Sequence, residues 1–143
     1  MATYLGKDGW VSTGALGTGS PGTEVTEIRG WSVEHTAETI DDTVMGETSR
    51  SYRVTYKGFT GTVDLLYDVA ATGPDAFTVG STITVNFYPE DAATHGTPDD
   101  GDAVITGSAI VTGKTITAAY DGLIEASISL QGDGDLTFTT YTA

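Results

Sequence analysis

The chain has 143 residues, which is enough for one domain with a core of ordinary size and no covalent or metal staples. Its 20 acidic and 6 basic residues give a formal charge of −14, so it lacks the basic stripe that grips a phosphate backbone. Cysteine is absent, which excludes disulfides, thiolate catalysis and cysteine-bearing zinc sites.

The first 27 residues predict an extended arm. Their centre, GALGTGSPGTE, consists of glycine and small polar residues, a composition typical of loops and not of a packed core. We expect the arm, residues 1–27, to become ordered only against a neighbouring subunit. The chain begins without a basic and apolar leader and contains no run of about 18 apolar residues. We therefore expect a soluble protein made in the cytoplasm, with no membrane partner.

Residues 28–143 predict one β domain, because threonine and the 19 glycines are abundant while helix formers are scarce. The pattern there begins with a period of two, in which Trp31, Val33 and His35 share one face of a half-buried strand. A polar loop without a clean period follows at about residues 41–51.

The chain after this loop predicts further strands separated by turns. Pro74 begins the only helix that we expect, a short one that runs to about Val79. The strands are, in chain order, the two halves of YRVTYKGFTGTVDLLYDV, then TITVNFYP, one or two strands in VITGSAIVTGKTITAAY, and a hairpin in LIEASISLQGDGDLTFTTY.

The stretch QGDGDL raises the question of a metal site, because aspartate and glycine also form calcium-binding loops. The ligand spacing of an EF-hand is not met, and no nonapeptide repeat follows. Glycine and aspartate also tolerate the positive φ of a tight turn. A metal-free hairpin turn therefore explains QGDGDL, and a solvated loop tip explains PDDGDA, the other candidate ion site.

No motif predicts catalysis or cofactor binding, so we expect no enzyme and no cofactor. GTGSPG matches G-x-G-x-x-G but stands outside the strand-to-helix frame that would hold a pyrophosphate. His35 and His95 have no partner at the spacing of metal ligands or of a catalytic triad. Arg50 and Arg53, at the end of the polar loop, are equally consistent with solvated side chains and with ion pairs to a second subunit.

The order of these segments resembles that of the tail tube, or major tail, proteins of long-tailed bacteriophages and gene transfer agents. The resemblance runs from about Glu27 to Thr139. It rests on short motifs in a fixed order: GWSVEHTAETID, DDTVMGETSRSY, GFTGTVDLLYD, VGSTITVNFYP, GSAIVTG and SISLQGDGDLT.

The resemblance implies a small β-sandwich or half-barrel with one short flanking helix, whose subunits form hexameric rings that stack into a tube. Such a tube is a structural part of the virion tail, assembled in the host cytoplasm, and it conducts DNA into the host. Its implied partners are further copies of itself, proteins at the tube ends, a tape-measure protein in the lumen, and DNA in transit without specific binding. The loop at about residues 41–51 would reach the next ring through Asp41, Asp42, Met45, Glu47 and Arg50.

Strand alternation predicts which polar side chains would line the channel. In LIEASISLQ the residues at positions 124, 126, 128 and 130 face the core, and in GTVDLLYD Val63, Leu65 and Tyr67 do the same. An acidic wall would repel DNA within a Debye length of about 8 Å at physiological salt. The charge is equally consistent with an outer surface that keeps the protein soluble. The expected channel residues are Asp64, Asp68, Glu125, Ser127, Ser129 and Gln131.

Two other classes of protein are also consistent with the sequence. A monomeric β-sandwich of the carbohydrate-binding or adhesin type would expose aromatic rings on one sheet face, whereas Trp31, Tyr67 and Phe87 stand at positions that alternate toward the core. A tube protein of type VI secretion would have the same fold as a phage tail tube protein and is equally consistent with the sequence.

Overall fold

The computed structural model of the chain describes residues 9–26, 28–67, 77–89 and 98–143. The regular structure in these ranges is entirely β, which confirms the expected fold class, and none of the described segments forms a helix. Nor does any of them supply a helix long and apolar enough to cross a membrane. The strands are β1 (Trp10–Thr13), β2 (Thr23–Glu24), β3 (Ile28–Asp41), β4 (Tyr52–Leu66), β5 (Thr82–Tyr88), β6 (Ala103–Thr117), β7 (Glu125–Gly132) and β8 (Thr137–Thr140).

The strands form one strongly curled antiparallel sheet. Its order is β2-β1-β5-β6-β7-β4-β3, and β8 pairs with β6. Four steps separate β3 from β5, a distance of about 19 Å in a flat sheet. The ring centroids of Trp31 on β3 and Phe87 on β5 nevertheless lie only 5.0 Å apart. Of the two expected architectures, this open, curled sheet corresponds to the half-barrel.

The concave side of the sheet holds the core, and Phe59 is its tightest contact. A Cβ atom built on Gly132 of β7 would lie 2.4 Å from the Phe59 ring, and one on Gly107 of β6 would lie 2.7 Å from it. These two strand positions therefore have room only for a hydrogen atom. The other buried core residues of the central strands are Val63, Leu65, Val85, Phe87, Ala109, Val111, Ala126, Ile128 and Leu130.

We expect Gly132→Ala to lower the free energy of unfolding by about 1–3 kcal/mol, because the new methyl group would overlap the Phe59 ring and the Phe59 carbonyl oxygen, 2.6 Å away. Gly113→Ala on β6 is the matched control, since its Cβ would meet nothing closer than Ser129 Cβ at 3.7 Å. Urea unfolding of the two variants makes the comparison. Equal midpoints would contradict the packing of Phe59 against Gly132.

Residues 9–26 belong to the packed domain, so the expected arm at residues 1–27 is wrong for this segment. β1 pairs with β5, and the side chains of Trp10 and Val11 are buried on opposite faces of the sheet. Trp10 stacks on Tyr88 with the ring centroids 3.9 Å apart. Residues 1–8 lie outside the described residues. The glycine-rich composition identified the turns of this segment but not its short apolar strand.

A buried polar network fixes the loop between β1 and β2 to the convex face of the sheet. Ser12 Oγ donates to the Pro21 carbonyl oxygen at 2.6 Å, and Asn86 Nδ2 donates to Ser12 Oγ at 3.0 Å. Thr106 Oγ1 donates to Asn86 Oδ1 at 2.6 Å. Gly22 has a φ of +86°, and a Cβ atom there would lie 2.9 Å from Ser12 Oγ. Both faces of β1 and β5 are therefore covered, and the buried polar groups are satisfied within the network.

The expected helix from Pro74 to about Val79 falls partly outside the described residues, which resume at Phe77. Phe77 is completely buried and belongs to the core. Residues 78–81 then form a turn, in which Ser81 N donates to the Thr78 carbonyl oxygen at 3.1 Å. The described part of this stretch is thus a turn and not a helix.

The expected C-terminal hairpin is also wrong, because β7 and β8 run in the same direction. Both are antiparallel to β6 along one edge, with Gly132 beside Ala109 and Thr137 beside Thr106. Residues 133–136, here called the jog, form a short insertion between β7 and β8, which lie end to end along β6. Gly134 has a φ of +108°, a backbone conformation that glycine adopts without strain. The residues of QGDGDL therefore satisfy a bulge-like insertion and not a chain reversal.

Candidate assembly surfaces

The hairpin of β3 and β4 extends beyond the rest of the sheet. β4 pairs with β7 only over residues 60–66, so residues 34–58 form a two-stranded segment, here called the ribbon, whose end at residues 42–51 is called the tip. No residue from 34 to 57 is buried. An isolated two-stranded hairpin is marginally stable in water at best. The ribbon also exposes several large apolar side chains, which is typical of a protein contact surface: Ile40, Val44, Met45, Tyr52, Val54 and Tyr56.

Hydrogen bonds give the tip a defined shape. Asp42 accepts from Ser51 Oγ and from Arg53 Nε, both at 2.6 Å. Asp41 Oδ1 accepts from Thr43 N at 2.9 Å. The hydrogen bonds from Thr43 lower the pKa of Asp41, and those from Ser51 and then Arg53 lower the pKa of Asp42. Both carboxylates are therefore used within their own subunit.

The five residues expected to contact the next ring divide into two groups. Asp41, Asp42 and Glu47 accept hydrogen bonds in the tip or directly beside it, Glu47 from Val44 N at 3.4 Å. Arg50 lies 3.7 Å from Asp41 but leaves 77% of its side chain exposed, and Met45 is completely exposed. Met45 and Arg50 are thus the members best placed to touch a neighbour, and contact with a second ring stays a prediction.

The polar side chains of β4 and β7 form one surface, here called the outer face. Strand pairing places Asp64 beside Ser127 and Thr62 beside Ser129. Burial alternates along β7 as expected, because its apolar residues are buried and its polar ones point away from the core. Asp68 lies outside the described residues. That the outer face lines a channel stays a prediction. On β7 it concerns the outward residues Glu125, Ser127, Ser129 and Gln131.

Three side chains at one end of this face depart from the expected pattern. Ile124 and Tyr67 were expected in the core but are 44% and 38% exposed, because each lies just beyond the end of its strand. Arg29 Nη1 lies 2.8 Å from Glu125 Oε1, with both side chains mostly exposed. The outer face therefore carries a cation paired with one of its acids. Sequence reasoning missed this pair because 96 positions separate its members.

The root of the ribbon is joined to the jog by one side-chain pair. His35 Nε2 donates to Asp135 Oδ1 at 2.9 Å, and since a carboxylate can only accept, Nε2 carries the hydrogen. The same oxygen accepts from Leu136 N at 2.9 Å. The hydrogen bond from His35 is the main reason that the pKa of Asp135 lies below its ordinary value. This aspartate of QGDGDL thus has a structural use that requires no ion.

The second acidic stretch, PDDGDA, is docked on the domain. Asp102 is buried and its Oδ2 accepts from Asp99 N at 2.8 Å, so the expectation of a solvated loop tip is wrong for this residue. Asp100 Oδ1 accepts from Ala143 N at 3.0 Å, which ties the end of the chain to this loop. Across the ranges that the structure describes, no three histidine, aspartate or glutamate side chains come together as a metal-ligand set.

We expect the Asp135 contact to make stability depend on pH. Because its pKa is lowered in the folded protein, its ionised form stabilises the fold above the ordinary value of 3.8, and this contribution is lost as the pH falls through the lower folded value. Asp135→Asn should lower the urea midpoint at about pH 6, and it should lower it less at an acidic pH well below 3.8. Asp133→Asn, an exposed position in the same jog, is the control and should be neutral at both. A deficit for Asp135→Asn of equal size at both pH values would contradict the ionic contribution.

Comparisons with solved structures find the same fold in tail particles. A chain in the virion of a native gene transfer agent particle matches over 96% of this chain and 99% of its own, with a TM-score of 0.70 and 17% identity. A chain in the tail of an empty gene transfer agent particle, refined with C6 symmetry, matches with the same values. The SPP1 tail tube matches over 99% of this chain and 81% of its own, with a TM-score of 0.71 and 16% identity.

No protein-family model and no curated protein matches the chain. At identities of 16–17%, the structural likeness establishes the fold, and it does so over nearly the whole chain.

Proposed function

We propose that the chain is the tail tube subunit of a bacteriophage or a gene transfer agent, a structural virion protein without catalysis or cofactor. The observation that carries this proposal is the match of 96–99% of the chain, at TM-scores of 0.70–0.71, to chains of tails and of a tail tube. One of these tails has C6 symmetry. Six copies of this chain accordingly form a ring, and rings stack into a hollow tube that conducts DNA into the host.

The ribbon supports this proposal from the chain itself. A monomer would leave its two strands without a third layer, with six large apolar side chains in water. Rings built head-to-tail are heterologous assemblies, in which unlike surfaces meet and can propagate. The tip, with Met45 and Arg50 exposed, is then the part that reaches a neighbouring ring.

The outer face is the proposed channel wall. Its residues Asp64, Glu125, Ser127, Ser129 and Gln131 are small, polar or acidic, and its cation Arg29 is already paired with Glu125. DNA passing such a wall meets repulsion and no cationic grip. In the assembled tail the remaining partners are a tape-measure protein within the lumen and other proteins at the tube ends.

Electron microscopy of the purified protein tests the proposal. We expect rings with sixfold symmetry, or tubes, at high protein concentration. A chain that stays monomeric at every concentration would contradict it and would favour a monomeric binding module. Tubes found in a secretion apparatus and not in particles would assign the same subunit to type VI secretion.

Lysine substitutions on the outer face test whether it is the channel wall. We expect Asp64→Lys combined with Ser129→Lys to leave tubes intact and to slow DNA ejection from particles, because the new cations attract phosphate. These positions leave the Arg29–Glu125 pair intact. Val79→Lys, at an exposed site outside the ribbon and the outer face, is the control. The delay should shrink as salt rises, and ejection at the wild-type rate at low salt would remove these residues from the wall.

A further inference from the structure

Most of the large apolar side chains that the described residues leave exposed lie in two groups at opposite ends of the molecule, and Val79 and Phe138 belong to neither group. One group belongs to the ribbon, described above. The second lies where β4 and β6 end and β7 begins, and it is called here the base patch. Single exposed apolar residues are ordinary on any protein surface, whereas a cluster marks a contact surface. The base patch consists of Tyr67, Ile116, Tyr120, Leu123 and Ile124.

Local structure holds the base patch together. Tyr67 N donates to the Ile124 carbonyl oxygen at 2.8 Å, which joins the end of β4 to the start of β7. The connection between β6 and β7 turns at Gly122, whose N donates to the Ala119 carbonyl oxygen at 3.2 Å. This turn presents Tyr120, which is completely exposed. None of the described residues covers this aromatic ring.

The tip and the base patch lie at the two ends of β4. The strand runs from Tyr52 beside the tip to Leu66 beside the base patch. At about 3.3 Å per residue, this separation is about 46 Å. The two surfaces are therefore too far apart to cover each other within one subunit.

Charge selects which surfaces can pair. The only charged residue from position 116 to 124 is Asp121, in the turn that presents Tyr120. Arg50 on the tip is 77% exposed and only loosely paired. Contact of a base patch with another base patch would bring two Asp121 carboxylates together in a chain whose formal charge is already −14. Contact of a tip with a base patch brings Arg50 toward Asp121 instead.

We propose that the base patch is the surface that receives the tip of a second copy of this chain, with Met45 and Val44 packing on Tyr120 and Leu123 and with Arg50 facing Asp121. Each subunit then offers one tip and one base patch at opposite ends. Because the contact joins unlike surfaces at opposite ends of the subunit, it can repeat from one subunit to the next along one direction. This inference rests on the proposed function, in which it supplies the contact between successive rings.

The absence of cysteine from the chain allows a direct test by site-specific crosslinking. We expect the double variant Met45→Cys with Leu123→Cys, treated after assembly with a short bis-maleimide, to give a ladder of multimers on a denaturing gel. A mixture of the two single variants should stop at dimers, since each subunit then carries one thiol. Met45→Cys with Val79→Cys is the matched control, because Val79 is 55% exposed and lies outside both surfaces. It should give no ladder.

Three results would overturn the inference while leaving the proposed function intact. All three concern protein that forms tubes. In the first, Met45→Cys with Leu123→Cys crosslinks no better than the control. In the other two, Met45→Cys alone gives tip-to-tip dimers, or Leu123→Cys alone gives base-to-base dimers. Microscopy of the wild-type chain decides the function separately. A chain that never assembles overturns the proposed function and this inference together.

Charge reversal gives a second readout that does not depend on thiols. Arg50→Asp and Asp121→Arg should each shorten the tubes, and the two changes combined should restore their length by recreating an opposite pair. Melting temperatures near that of the wild type establish that each variant folds. Tubes of full length from both single variants would count against the contact.

Discussion

The ring of Phe59, set against Gly107 and Gly132, is the contact on which the rest of the structure depends. Phe59 is the first buried residue of β4, at the point where the strand passes from the ribbon into the sheet. The two glycines belong to β6 and β7, so one side chain ties three strands together on the concave face. A side chain at either glycine would push the ring out, because packed interiors leave no spare volume. The curl of the sheet and the root of the ribbon therefore share one anchor.

One part of the hairpin of β3 and β4 belongs to the core of the domain, and the other part, the ribbon, does not. The core is complete without the ribbon, since the buried residues of β4 begin at Phe59 and none lies within residues 34–57. The ribbon keeps its form through the Asp41 and Asp42 hydrogen bonds at the tip and through the His35–Asp135 contact at its root. The exposed apolar side chains of the ribbon therefore take no part in the core of the domain.

Charge is distributed unevenly between the ribbon and the rest of the chain. Half of the six basic residues, Arg50, Arg53 and Lys57, lie on the ribbon, while the rest of the chain is strongly acidic. Copies of so acidic a chain repel one another at long range. This repulsion is smaller in orientations that bring the exposed Arg50 of one ribbon to an acidic surface of a neighbour. A net charge of −14 also opposes non-specific clustering and gives the chain little affinity for phosphate.

The sequence by itself determined the all-β class, the boundaries of the loop at the tip, and the burial of Val63, Leu65 and the apolar residues of β7, but not the burial of Phe59. Side-chain direction in a strand alternates with every residue, so these features follow from local pattern alone. The conformation of residues 133–136 did not follow from local pattern, because glycine and aspartate adopt a positive φ equally well in a hairpin turn and in the jog. Only the pairing of β7 and β8 with the same edge of β6 decided between the two. The pairs Arg29–Glu125 and His35–Asp135 join residues 96 and 100 positions apart. No local pattern encodes such contacts, since they arise only when the curled sheet brings distant strands together.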